Sequence, residues 1–182
     1  LHICDYNLEN INDFDNINNH TLLVDVCLAA LHEGQTITRD YPKYQAQYAS
    51  SASRSQICTM LARSFADIGD IVRGRDLYLR DKGGKTKLEK NLKEIFGKLH
   101  GTLDQTTKDH YKKDKETGNF FQLREDWWNN NRKKVWDAIT CNAVGYQYSR
   151  PTCSTEPLSQ DKCQCANTDV PTYFDYVPQY LR

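Results

Sequence analysis

The sequence predicts an all-α fold, a helical bundle with long loops and disulfides. Apolar residues recur at helical spacing in three long segments, residues 55–74, 85–100 and 120–140. Amphipathic helices of that kind, with their wettest faces outward, pack as a bundle. The chain of 182 residues carries seven cysteines, many for a cytosolic domain and an odd number for a secreted one. That length is enough for one or two small cores.

Residues 1–19 read as an extended, Asn-rich, acidic stretch, followed by a helix over 21–33 that Gly34 ends. Cys27 shares a helical face with Leu23, Val26 and Ala30, which suits a buried free thiol. Asn19, His20 and Thr21 form a glycosylation sequon, a pattern short enough to arise by chance, and it carries no functional weight. Residues 35–53 are polar, tyrosine-rich and contain Pro42, so they read as a loop. Tyr41, Tyr44 and Tyr48 recur at near-helical spacing, which leaves open a short helix with inward rings or an exposed aromatic patch.

The central helix, 55–74, places Ile57, Leu61, Phe65, Ile68 and Val72 on one stripe, with Ser55 as its cap and Gly74 as its end. Gly69 inside it costs about 1 kcal/mol against alanine, which a close helix approach or a local bend would offset. Cys58 lies one step from the stripe, free to tie this helix to another element.

Residues 75–87 form a basic, flexible loop. Gly84, Lys85 and Thr86 look like the end of a phosphate-binding loop, but the required earlier glycine is Leu79 and no buried strand precedes it, so a nucleotide site is rejected. The helix over 85–100 buries Leu88, Leu92, Ile95, Phe96 and Leu99. Lys82, Lys85, Lys87, Lys90, Lys93 and Lys98 read as one ridge able to meet sulfate or carboxylate groups at several points. The competing reading is a solvated face with Glu89–Lys93 and Glu94–Lys98 pairs. Lys108, Lys112, Lys113 and Lys115 continue the positive region, and Arg132, Lys133 and Lys134 add a third cluster.

The helix over 120–140 carries Leu123, Trp127, Trp128, Val135, Trp136 and Ile139 on one broad face and runs into Cys141. This spacing favours core over sugar-stacking roles for the tryptophans. Residues 145–167 are turn-rich and cysteine-rich; 170–182 gather Tyr173, Phe174, Tyr176 and Tyr180 around two prolines and are expected to begin a helix.

Lys plus Arg equals Asp plus Glu at 24 each, but the distribution is uneven. Residues 1–40 hold seven acidic groups and one basic, whereas 73–115 hold thirteen basic and seven acidic. No apolar run approaches the roughly 20 residues needed to span a bilayer, and no signal segment is seen, so the chain is expected to be soluble with any tether elsewhere. The histidines His2, His20, His32, His100 and His110 are scattered, and neither HExxH nor GxSxG occurs. Cys153, Cys163 and Cys165 lack zinc-knuckle spacing and a fourth ligand. Nucleic-acid binding is disfavoured by the neutral charge and the absence of a motif. Neither catalysis nor a cofactor or metal is expected.

Read together, LHICDYNLENI, LLVDVCLAALHEG, QICTMLARSFADIGDIVRG, LREDWWNNNRKKVWDAITC and VPTYFDYVPQYLR resemble the alpha-type Duffy-binding-like domain of the variant erythrocyte membrane protein family of the malaria parasite Plasmodium falciparum. The stretches 77–119 and 145–167 match only in character. The resemblance implies a central piece of such a domain: 1–53 in a first subdomain, 54–144 a central helical bundle, and 145–182 the start of a cysteine-rich third. It also implies a Cys58–Cys141 disulfide, closing a loop worth roughly 4–5 kcal/mol in the chain-entropy model. Cys4 would pair upstream, and the set Cys153, Cys163 and Cys165 would have at least one partner beyond Arg182. The implied function is adhesion from the surface of the infected red cell to host receptors in rosetting or cytoadherence. Sulfated glycosaminoglycans such as heparan sulfate, blood-group glycans and complement-receptor protein are the ligand classes. Neighbouring domains of a longer chain would be further partners, with no nucleic acid and no direct membrane insertion. The glycan-binding residues expected here are Lys82, Lys85, Lys87, Lys90, Lys93, Lys98, Lys112 and Lys113, positions that match no fixed family motif. The competing class is a non-binding spacer with an antigenically variable surface.

Overall fold

The computed structural model describes residues 16–47, 56–77, 87–149, 151–154 and 160–182. Helix α1 spans Asn19–Gln47, α2 Gln56–Arg73, α3 Lys87–Thr102, α4 Gln105–His110, α5 Lys112–Thr117 and α6 Phe121–Ile139. No strand occurs among the described residues. Helices α1, α2 and α6 pack on one another, and α3 leans on α6.

The expected stripe of α2 is buried throughout: Ile57, Leu61, Phe65, Ile68 and Val72 are each at most 1% exposed. Phe65 lies against Trp128 and Trp136 of α6, with ring centroids 5.1 and 5.2 Å away. All three tryptophans are buried. Gly69 is a close-approach site: a Cβ there would stand 2.8 Å from the Trp128 ring. Gly74 ends the helix at φ +71°, and Arg75 N–H donates to Asp70 O at 2.7 Å, a left-handed cap that favours glycine.

Helix α1 departs from expectation. It begins at Asn19 beneath an Asn18 cap, whose Oδ1 accepts from His20 N at 2.8 Å and Thr21 N at 3.1 Å. It runs through both Gly34 and Pro42 rather than stopping at Glu33. Gly34 marks contact: a Cβ there would lie 1.9 Å from the Ile139 carbonyl oxygen, so α1 and the end of α6 touch backbone to backbone. The residues expected to form a loop therefore continue the helix to Gln47. Tyr41 is buried edge-on against Tyr146 at 5.7 Å, while Tyr44 is 40% exposed. Tyr48 and the Ser55 cap lie outside the described residues.

The cysteine pairing also differs. Cys58 bonds Cys163, and Cys153 bonds Cys165. Cys58 faces inward on α2 with no exposed surface, whereas Cys141 is an exposed free thiol just past α6. Cys163 arrives from the loop below Trp136, whose Nε1 donates to the Cys163 carbonyl at 3.2 Å. Cys27 is free, as expected, but half-buried rather than buried; burial pushes its thiol up, with Lys134 opposing and Asp137 adding. Cys4 lies outside the described residues.

The C-terminal segment forms two one-turn 3₁₀ helices, Phe174–Tyr176 and Gln179–Leu181. Pro178 lacks an N–H and holds Val177 extended, which stops propagation. The segment is strapped down by buried charge. Asp175 accepts from Trp128 Nε1 at 2.9 Å, Arg132 Nε at 2.8 Å and Arg132 Nη2 at 2.7 Å. Arg73 donates to the Asp175 carbonyl and pairs with Asp70 at 3.1 Å. Arg182 pairs with Asp67 at 3.0 Å and Asp70 at 2.6 Å.

Two outcomes are expected. Gly69→Ala should destabilise the chain by about 1–3 kcal/mol in urea titration, because the methyl group meets the indole; a change within 0.5 kcal/mol would refute the close packing. Non-reducing peptide mapping should recover a Cys58–Cys163 peptide, and a Cys58–Cys141 peptide would overturn the pairing.

Candidate glycan-binding surface

The N-terminal half of α6 organises the basic region. Arg124, fully buried, donates from Nε to Val72 O at 2.6 Å and from Nη2 to Ile71 O at 3.0 Å. It thereby satisfies carbonyls at the end of α2, where a cation complements the helix dipole. The same guanidinium grips Glu89 of α3 with two bonds of 2.9 Å. Phe96 of α3 packs edge-on against Trp127 at 6.1 Å, and a Cβ on Gly97 would stand 3.4 Å from the Phe120 ring. These contacts fix how α3 is turned.

Helices α4 and α5 attach to the same half of α6. Tyr111 OH donates to Asp126 at 2.8 Å, and Leu123 N–H donates to the Asp114 carboxylate at 2.8 Å. Phe120 sits at φ 54° and supplies no side-chain cap, so Asp114 caps α6 from outside. The Tyr111 hydroxyl is pushed up to about 12, first by burial and then by its bond to Asp126.

The expected lysines fall into separate groups. Lys82 and Lys85 lie outside the described residues. Lys87 and Lys90 are exposed on α3 and Lys98 is half-buried; at 100° per residue these three share a strip about 80° wide, with Glu94 inside it. Lys93 stands about 60° beyond Lys90 around the helix, donating to Asn119 Oδ1 and standing 4.0 Å from Glu89. The anticipated Glu89–Lys93 pair is weak because Arg124 holds both Glu89 oxygens at shorter range. Lys112, Lys113 and Lys115 are exposed on α5, and Lys108 is half-buried on α4. Both groups border the N-terminal half of α6.

The third basic cluster is dispersed. Arg132 is consumed by Asp175, Lys133 donates to Thr168 at 2.7 Å, and Lys134 is exposed. A groove of about 560 Å³ beside the C-terminal segment is lined by Thr59, Tyr148, Ser149, Thr172, Tyr173 and Phe174 among others, and no lysine lines it. Among the described residues no group of three His, Cys, Asp or Glu could hold a metal ion, and no helix is long and apolar enough to cross a membrane. The buried charges Asp70, Arg73, Arg124 and Asp175 escape sequence reasoning; the available signal was charge placed within otherwise apolar motifs such as DIGDIVRG.

The profile of the Duffy binding domain family matches residues 1–182. The chain belongs to that family. Among solved structures, the NTS-DBL1(alpha-1) domain of Plasmodium falciparum membrane protein 1 (PfEMP1) from the varO strain is 42% identical, with a TM-score of 0.78. The match covers 99% of this chain and 40% of that one. The varO NTS-DBL1-alpha and CIDR-gamma double domain is also 42% identical, with a TM-score of 0.77 and coverage of 99% and 25%. A DBLb domain of a PfEMP1, described as bound to human ICAM-1, is 33% identical with a TM-score of 0.72 and coverage of 99% and 36%. The chain thus spans well under half of these relatives. No curated protein matches it significantly. The expected all-α Duffy-binding-like fold and the resemblance to PfEMP1 domains both hold.

In this Duffy-binding-like chain, Glu89→Ala should cost about 3 kcal/mol in chemical denaturation. That is the low end for breaking a buried pair, because Glu89 is partly exposed while Arg124 is not. A loss below 0.5 kcal/mol would show that α3 is held without this pair.

Proposed function

We propose that this chain is part of an adhesive module of a PfEMP1-type antigen, displayed on the infected erythrocyte and binding host receptors, with a sulfated glycan such as heparan sulfate as a ligand. The observation carrying the glycan reading is the outward set Lys87, Lys90, Lys112 and Lys113, exposed on two elements that flank one helix and held in no salt bridge among the described residues. Polyanions suit such a surface because each sulfate can meet a separate cation, and the attraction tolerates changes in spacing. Family membership supports the adhesive role, as does a relative described as bound to human ICAM-1. Blood-group glycans and complement-receptor protein are further receptor classes within this reading. Catalysis has no part in it.

Immobilised heparin probed across a salt series tests the proposal. The native chain should bind saturably and weaken steeply as salt rises. Lys87→Glu with Lys90→Glu, and separately Lys112→Glu with Lys113→Glu, should each weaken low-salt binding at least about tenfold. Absence of saturable binding, or native-strength binding by both double variants, would favour the spacer reading instead.

A further inference from the structure

Helices α4 and α5 have six residues each, far below the roughly 12–15 at which an isolated helix holds its shape in water. Their orientation therefore comes from anchors. Three join them to α6: Tyr111 to Asp126, Asp114 to the Leu123 amide, and His110 Nε2 to Gln122 Nε2 at 2.9 Å. Tyr111 and Asp114 are buried, at 9% and 8% exposure. Their neighbours Lys112, Lys113 and Lys115 are exposed. Asp114 also has its charge directed at the positive end of the α6 dipole rather than at solvent. The same helix carries a contrasting acid, Glu116, which is exposed among the lysines.

We propose that Asp114 is a positioning residue for the anionic-glycan site: by capping α6 it turns Lys112, Lys113 and Lys115 outward as a preformed sulfate-binding surface. Tyr111 shares the task through Asp126. The inference rests on the glycan reading above, and it makes a prediction opposite in sign to simple charge counting. Removing an acid from a polyanion-binding face should strengthen binding. Removing Asp114 should weaken it, because the cations lose their fixed arrangement.

The test measures heparin affinity at low salt for the whole chain and for Asp114→Ala, Asp114→Asn, Tyr111→Phe, Glu116→Ala and the Lys112→Glu, Lys113→Glu pair. Tryptophan fluorescence and far-UV circular dichroism check folding, and hydrogen exchange follows residues 111–117. Asp114→Ala is expected to bind about three- to tenfold more weakly with faster exchange across 111–117 and a shallower salt slope. Asp114→Asn keeps an acceptor for the Leu123 amide and should bind at least as well as the native chain. Glu116→Ala should bind more tightly. Tyr111→Phe, which removes a single hydroxyl, should weaken binding about two- to threefold, and it carries the test if Asp114→Ala does not fold. A folded Asp114→Ala variant that binds as tightly as the native chain, or more tightly, overturns the proposal. So does a lysine pair variant with native affinity, which would leave the α3 lysines as the glycan contact. A native chain that does not bind heparin overturns both this inference and the glycan reading.

Discussion

Arg124 is the point on which the arrangement of the helices turns. Its guanidinium is out of water, so its donors must be met by protein, and they are met by two carbonyls at the end of α2 and by both oxygens of Glu89. One side chain of α6 therefore sets where α2 stops and how α3 is rotated. Gly74 belongs to the same junction, since a Cβ there would stand 2.8 Å from Arg124 Nη1. A larger residue would meet both the left-handed backbone and the guanidinium.

A second buried seam does the same for the C-terminal segment. Asp175 collects an indole N–H and two guanidinium N–H groups, and Arg182 closes onto Asp67 and Asp70. The charged residues of DIGDIVRG and PTYFDYVPQYLR thus face inward, where they join elements distant in sequence. Each such bond is directional, so it specifies geometry as well as proximity. The outward chemistry is left to α3, α4 and α5, which fall in the stretch that matches the family only in character.

Legibility followed the physics of each signal. The stripe of α2, the apolar faces of α3 and α6 and the burial of the tryptophans were readable because hydrophobic periodicity is local to the helix that shows it. Gly69 was readable as an exception needing a partner, and Trp128 is that partner. Gly34 was misread as a stop, since a glycine required by backbone contact with Ile139 looks the same in sequence as one that ends a helix. The turn of Lys93 toward Glu89 and Asn119 was hidden for a related reason. Spacing placed the lysines on α3, but the competition between Arg124 and Lys93 for Glu89 depends on a residue 35 positions away from that carboxylate.

By itself the sequence determined the all-helical class, which faces are buried, the family and the position of the basic region, because each is written in local periodicity or in motif identity. Tertiary structure alone decided the length of α1, the Cys58–Cys163 bond, the inward role of the motif charges and which lysines face solvent together. Those outcomes depend on which distant groups meet, and the pairing of a buried charge or thiol is settled only when the opposing element arrives.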